Sequence, residues 1–109
     1  MKTISLIIPF FDEYEELQLT LDSIPEWSLL PNEIIIVNTD NFDKNKIIKV
    51  YKNKFTDLDI ELLILEREGA YPGCARNHGI KSANFELIAF LDAKTFPDKE
   101  WLENGVKQL

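Results

Sequence analysis

The 109-residue sequence has few of the residues that build several common kinds of site. Its single cysteine, Cys74, excludes an internal disulfide and suits a reducing compartment. Cys74 also has no obvious base beside it in the sequence, which argues against a catalytic nucleophile. The single histidine, His78, has no cluster of cysteines or histidines around it, and we interpret it as a packing or surface residue. Any chemistry must therefore rest on other residue types.

Long apolar runs and excess positive charge are also missing. No apolar run approaches the roughly 20 residues that span a bilayer, and MKTISLIIPFFDE lacks the cleavage pattern of a signal peptide. We expect a cytoplasmic protein, with any membrane association coming from regions outside this chain. The 12 basic residues against 19 acidic ones give a formal charge of −7, which argues against a nucleic-acid binder. An anionic ligand would need local positive charge or backbone amides.

What the sequence does contain is an alternation of strand and helix patterns. Short apolar runs at 4–8, 33–37, 60–65 and 86–91 predict strands buried on both faces. Between them, helical patterns begin near a capping box of Asp12 and Glu15, recur at Ile47, Tyr51 and Phe55, cover 74–82, and start again near Asp98. This order predicts an α/β fold, a mostly parallel doubly wound sheet with helices on both faces, formed by one domain over 1–109.

Ligands of such sheets bind beyond the carboxyl ends of the strands. The segments expected at that edge are 9–13, 38–41, 66–73 and 92–95. In the first, Pro9 ends the strand, and Phe10 and Phe11 are either core residues or rings that face a base or sugar. In the second, Asn38 is either an ordinary turn residue or an amide able to recognise the edge of a base.

The third segment leads into GAYPGCARNHGI, where Gly69 and Gly73 permit tight turns and a helix begins. Arg76 would fall in its first turn, an unfavourable place for a cation against the helix dipole. That position suits either an anionic partner such as phosphate or a salt bridge to Glu66 or Glu68. The fourth segment, FLDAKTFPD, places Asp92 at a strand end, with Lys94 two residues later.

Taken in order, SLIIPFFDE, PNEIIIVNTDN and GCARNHGIKSANFELIAFLDAKTFPDKEWLE resemble the family 2 glycosyltransferases, whose GT-A fold binds nucleotide-diphosphosugars. The resemblance covers nearly the whole chain but only the donor-binding half of the family's catalytic domain. It implies transfer of a sugar from such a donor to an acceptor, which could be a saccharide, a lipid or a protein. It also implies a nucleotide-sugar site formed by the following residues: Pro9, Phe11, Glu13, Asn38, Arg76, Asp92 and Lys94.

Two positions depart from the family pattern. Asn38 and Thr39 stand where paired acids are usual, which puts uridine specificity in doubt. Asp92 begins the family's DxD metal motif, but Lys94 replaces its last acid, and a protonated lysine cannot coordinate a cation. Asp92 with Mg²⁺ or Mn²⁺ is therefore one interpretation. Metal-independent binding, with Lys94 against the diphosphate, is the other.

Three hypotheses follow. In the first, the chain is the donor-binding part of an active glycosyltransferase with an unusual diphosphate site. In the second, it is a degenerate non-catalytic relative with a binding or structural role. In the third, it is a doubly wound regulatory or interaction domain of similar architecture only. We favour the first. The resemblance then implies that the catalytic base and the acceptor half follow Leu109, and we expect little or no turnover from this chain by itself.

Overall fold

The computed structural model describes residues 3–67, 69, 71–93 and 95–109. These residues form strands and helices in strict alternation. The strands are β1 (Ile4–Phe10), β2 (Glu33–Asn38), β3 (Glu61–Glu66) and β4 (Leu87–Phe90). The helices are α1 (Tyr14–Ser23), α2 (Lys44–Thr56), α3 (Pro72–Ser82) and α4 (Trp101–Lys107), with a short 3₁₀ turn at Ile24–Glu26.

All pairings in the sheet are parallel, in the order β3-β2-β1-β4. The chain adds β2 and β3 on one side of β1 and then crosses to place β4 on the other side. This reversal makes the carboxyl end of β1 a topological switch point, where parallel sheets leave a crevice for ligands. The register puts Phe10, Asn38 and Glu66 side by side at that end. The predicted mostly parallel α/β sheet is confirmed.

Helices cover both faces of the sheet, as predicted. On one face the main core joins alternate β1 residues, such as Leu6 and Ile8, to buried residues of α1, α2 and α4. Ile47, Tyr51 and Phe55 of α2 are all buried there, which confirms their helical spacing. On the opposite face α3 packs on Ile7, Ile35 and Val37 through Ala75.

Helix α3 lies very close to β1 at Gly79. A Cβ atom built on Gly79 would lie 2.6 Å from Cγ2 of Ile7 and 3.1 Å from its Cδ1, so a larger residue fits only if the Ile7 side chain, the helix or the strand shifts. This contact fixes the distance between α3 and the sheet. It therefore fixes the position of the residues that α3 carries at its amino-terminal end.

The amino end of the sheet is closed by hydrogen bonds to a buried carboxylate. Oε1 of Glu33 accepts from Oγ of Ser5 at 2.8 Å and from the backbone N–H of Asn84 at 3.1 Å. Its Oε2 accepts from Nδ2 of Asn84 at 2.7 Å. Because Glu33 is 1% exposed, these donors compensate the loss of its hydration. They also tie the α3–β4 loop to β1 and β2.

Three predicted helix starts differ from the observed ones. The capping box is wrong: Asp12 has a left-handed φ of 49°, and the N-cap is Glu13, without a side-chain capping bond. Helix α3 begins at Pro72, two residues before the predicted start, because proline is well suited to a first helical position. Helix α4 begins only at Trp101, since Asp98 forms the preceding turn by accepting from the N–H of Glu100 at 2.7 Å.

Candidate functional site

A cavity of about 300 Å³ opens at the carboxyl ends of the strands, beside the switch point. All four segments predicted at this edge contribute residues to the cavity. Its described lining residues are Pro9, Phe10, Phe11, Glu13, Thr39, Gly69, Tyr71, Arg76 and Asp92. Five of the seven predicted site residues are therefore brought together, namely Pro9, Phe11, Glu13, Arg76 and Asp92.

The two phenylalanines after Pro9 take different roles. Phe10 is buried and packs edge-to-face on Phe42, with ring centroids 5.4 Å apart. Phe11 turns out of the sheet, lines the cavity and is 58% exposed. Its N–H lies 3.4 Å from Oε1 of Glu13, within the same turn. The core interpretation thus holds for Phe10, whereas Phe11 presents an accessible ring to whatever fills the cavity.

Asn38 lies beside the cavity but does not line it. Its side chain is fully buried, and its Nδ2 donates to the carbonyl of Phe42 at 2.8 Å and to Oε2 of Glu66 at 3.1 Å. Its Oδ1 accepts from the N–H of Asp40 at 3.1 Å. The neighbouring Thr39 does line the cavity, while its hydroxyl donates to the carbonyl of Phe10 at 3.0 Å. The role of Asn38 toward a base stays a prediction.

The loop from β3 to α3 is attached to the end of β2. The N–H of Arg67 donates to the carbonyl of Asn38 at 2.8 Å, and the N–H of Gly69 donates to that of Thr39 at 2.9 Å. Gly69 has a φ of +80°, a conformation that glycine adopts without strain, which confirms the predicted turn there. Gly73, by contrast, is an ordinary helical residue of α3.

Tyr71 follows this turn and lines the cavity with 81% of its surface exposed. Sequence reasoning placed Tyr71, Thr39 and Gly69 in segments at this edge but did not single them out as site residues. The signal that could have found Tyr71 is its place before Pro72, which favours the extended backbone that it adopts as N-cap of α3.

Arg76 is the fifth residue of α3, and its exposed side chain lines the cavity. Because the helix starts at Pro72, Arg76 lies in the second turn and not the first, so the predicted conflict with the helix dipole is weaker. The predicted alternative of a salt bridge to Glu66 is wrong, since that carboxylate instead accepts from Asn38. Glu68 lies outside the described residues. Within the described ranges, the Arg76 guanidinium has no hydrogen-bond or ion-pair partner.

The interpretation of His78 as a packing or surface residue fits its surroundings. Its Nδ1 accepts a hydrogen bond from Nε of Arg67 at 3.1 Å, and Arg67 also donates to the carbonyl of Glu66 at 2.8 Å. Neither His78 nor Arg67 lines the cavity. Arg76 is thus the arginine that faces the cavity, and Arg67 holds the adjacent loop.

The turn after β4 brings an acid to the cavity. Asp92 is exposed and lines it, and the Asp92 carbonyl accepts from the N–H of Thr95 at 2.9 Å. The next residue, Ala93, is buried, and its carbonyl accepts from the hydroxyl of Thr20 in α1 at 3.0 Å. This bond anchors the turn against α1. Lys94, predicted as a diphosphate contact, lies outside the described residues.

Among its described lining residues, the cavity has one guanidinium and two carboxylates, those of Glu13 and Asp92. Among the described residues, no three acidic, histidine or cysteine side chains group closely enough to form a metal site by themselves. Asp92 could supply one oxygen ligand to a hard cation, which would take its other ligands from a bound diphosphate and water. The donor set therefore fits a cation held jointly with a ligand.

With this geometry in hand, comparison with known proteins identifies the family. The sequence model of the family "Glycosyl transferase family 2" matches residues 5–109. The chain belongs to glycosyl transferase family 2. Among curated relatives, glycosyltransferase AglE of Haloferax volcanii is 31% identical over 109 residues, and the amylovoran biosynthesis glycosyltransferase AmsB of Erwinia amylovora is 32% identical over 105 residues. The matches cover 97% and 95% of this chain, but only 35% and 33% of those relatives.

Solved structures of GT-A glycosyltransferases share the fold. Residues 1–349 of Staphylococcus aureus TarS, in complex with UDP, superpose with a TM-score of 0.74 at 26% identity, over 96% of this chain and 31% of that one. The mannosyltransferase PcManGT of Pyrobaculum calidifontis, with GDP-Man and Mn²⁺, gives 0.78 at 25% identity, over 97% of this chain and 32% of that one. The chain thus spans about a third of the length of these two structures and of the two curated relatives named above.

None of the helices in the part of the chain that the structure describes has the length and apolar character needed to cross a bilayer.

Proposed function

We propose that this chain is the donor-binding part of a glycosyltransferase, which transfers a sugar from a nucleotide-diphosphosugar to an acceptor hydroxyl. The observation that carries the proposal is the cavity at the switch point, where Phe11, Arg76 and Asp92 meet. The planar ring of Phe11 suits a base, and the cation of Arg76, which has no described partner, suits the diphosphate. Asp92 suits a divalent cation bound to that diphosphate. The relatives are themselves named glycosyltransferases, and nothing in these comparisons favours the non-catalytic alternative.

In this proposal the base lies against Phe11 and Pro9, and Arg76 meets the diphosphate. A guanidinium donates up to five hydrogen bonds in a planar arrangement that suits phosphate oxygens. Arg76 need not break an ion pair within the described residues before it binds, so little of its interaction with the ligand is lost to a competing partner. Glu13, at the same rim, limits how closely the anionic part of the donor approaches the turn after β1.

The metal requirement of this chain is part of the proposal. One structural relative contains Mn²⁺ together with GDP-Man. In this chain Asp92 would hold such a cation, which neutralises a diphosphate and stabilises it as a leaving group. The sequence also places Lys94 where the last acid of the metal motif is expected, and its positive charge would meet the diphosphate directly.

The remaining parts of the reaction are proposed to lie elsewhere. Because the relatives are about three times as long as this chain, we propose that an acceptor-binding half with the catalytic base follows Leu109. The acceptor is a saccharide, lipid or protein hydroxyl. The exposed Cys74, without a disulfide, is consistent with the proposed cytoplasmic location.

Calorimetric titration with UDP- and GDP-sugars, with and without Mn²⁺, tests the donor site in the 109-residue chain. We expect binding of at least one donor, and absence of binding to every donor in both conditions would refute the proposal. The variant Lys94→Asp tests the altered metal motif in the same assay. It should make binding depend on Mn²⁺, and an unchanged response to Mn²⁺ would show that FLDAK is not a relic of the metal motif.

A further inference from the structure

The hydrogen bonds around Asn38 bear on which nucleotide the site accepts. We infer that two aromatic side chains, Phe11 and Tyr71, hold the nucleobase by stacking, and that Asn38 positions the rim of the cavity without distinguishing one base from another. This inference rests on the proposed function, since it concerns the same cavity. It assigns a binding role to Tyr71 and predicts a donor site that accepts both pyrimidine and purine nucleotides.

Most of the hydrogen-bonding capacity of the Asn38 side chain is already used within the protein. Both of the acceptors that its amide nitrogen reaches, the Phe42 carbonyl and the Glu66 carboxylate, belong to the protein. Its oxygen already accepts from Asp40. The side chain is 0% exposed, so the edge of a base could reach it only after these bonds break and the β2 end opens. The amide instead joins the ends of β2 and β3 to the start of the β2–α2 loop.

Tyr71, by contrast, is available and held in place. Its carbonyl accepts from the N–H of Ala75 at 2.8 Å, so its backbone is fixed by the first turn of α3. The preceding loop is tied to the β2 end at Arg67 and Gly69. These bonds position the backbone of Tyr71 at the cavity, which Phe11 lines from the end of β1. The two rings come from separate elements and reach the same space.

Stacking on aromatic rings tolerates any base, because every base has a π-face, whereas discrimination needs polar groups aimed at the base edge. The described residues at this rim place two rings there, while the amide of Asn38 stays buried. The same fold is seen with UDP in one relative and with GDP-Man in another. A cavity of about 300 Å³ that is open to solvent does not exclude the larger purine by size.

Titration of the 109-residue chain with UDP, GDP and ADP, with Mn²⁺ present throughout, tests the inference. The expected dissociation constants lie within about tenfold of one another. A preference for one base greater than tenfold would overturn the inference while leaving the donor-binding function intact. If none of the three nucleotides binds, the proposed function itself fails, and the inference fails with it.

Tyr71→Ala gives a second, independent measurement. It should weaken all three nucleotides by a similar factor, about tenfold, and Tyr71→Phe should restore the lost affinity. Because the Tyr71 ring is exposed, neither variant should alter the circular dichroism spectrum. Phe96→Ala is the matched control, since Phe96 is also an exposed aromatic residue but does not line the cavity. An equal loss in the control, or a loss for UDP only, would overturn the inference.

Discussion

Glu33 at the start of β2 and Asn38 at its end are both fully buried polar residues on one strand, and each side chain makes three hydrogen bonds within the protein. Around Glu33 these bonds close the amino end of the sheet, because they join Ser5 and Asn84 to β2. Around Asn38 the bonds do not close the sheet, because the carboxyl end also carries Arg76 and other exposed side chains that face a cavity.

The difference shows which polar residues of such a sheet are available for function. A buried polar group is stable only when its hydrogen bonds are satisfied, so burial commits Glu33 and Asn38 to the protein itself. Arg76 lies at the same edge as Asn38 but outside that network. Position at the carboxyl end is therefore necessary for a ligand contact but not sufficient, and the hydrogen-bond partners decide.

The largest effect is expected from Glu33→Ala, which would leave the donors of Ser5 and Asn84 buried without an acceptor. We expect a loss of about 3 kcal/mol in the free energy of unfolding, measured by urea denaturation. Glu33→Gln is the matched control, because its amide can still accept from Ser5 and pair with a reoriented Asn84 side chain. It should lose only about 1 kcal/mol. Equal losses in the two variants would contradict this account of the amino end.

A smaller loss is expected where α3, which connects the two ends, touches β1. Gly79→Ala would place a methyl group against Ile7, whereas Gly73→Ala in the same helix has no atom within 4 Å of the added carbon. Gly73 lies in the first turn of α3 and Gly79 in its interior, where alanine gains more helix propensity over glycine, so the difference between the two variants is a lower bound on the cost of the clash. We expect Gly79→Ala to be less stable than Gly73→Ala by about 2 kcal/mol in thermal or urea unfolding. Equal stability would show that Ile7 or the helix can adjust at a cost no larger than the extra propensity gain at position 79.

Much of the fold could be predicted from the sequence because burial acts on whole segments. The uninterrupted apolar runs of β1 and β2 are buried on both faces, and the spacing of Ile47, Tyr51 and Phe55 matches one helix face. Parallel order then places all strand ends at one edge, so the approximate location of the site follows from the alternation of elements.

What could not be predicted depends on single side chains and on local backbone choices. The sequence does not show that Phe10 packs on Phe42 while its neighbour Phe11 faces the cavity, nor that Asn38 turns toward Glu66. These orientations depend on partners that are distant in sequence. The start of α3 was also predicted two residues too late. The helix begins at Pro72, and Arg76 therefore lies in its second turn.

At the open end, Arg76→Ala should weaken UDP binding about tenfold, since it removes charge-assisted hydrogen bonds to phosphate. Stability should change little, because Arg76 has no described partner whose loss would matter. The matched control is Arg67→Ala. It removes the same charge from the residue that directly follows β3, whose side chain contacts His78 and does not line the cavity. The same loss of UDP affinity in both variants, measured by calorimetry, would contradict the assignment of Arg76 to the phosphate-binding site.

The smallest effect concerns an acid that lies near the open end but is used by the protein. Asp43 follows β2 and caps α2, with its Oδ1 accepting from the N–H of Asn45 at 3.0 Å, and it does not line the cavity. Asp43→Ala should cost about 1 kcal/mol of unfolding free energy, while Asp43→Asn, which keeps a capping oxygen, should cost far less. Neither should change UDP affinity. If Asp43→Ala changes the free energy of UDP binding more than the free energy of unfolding, hydrogen-bond partners do not separate structural from ligand-facing residues at this edge.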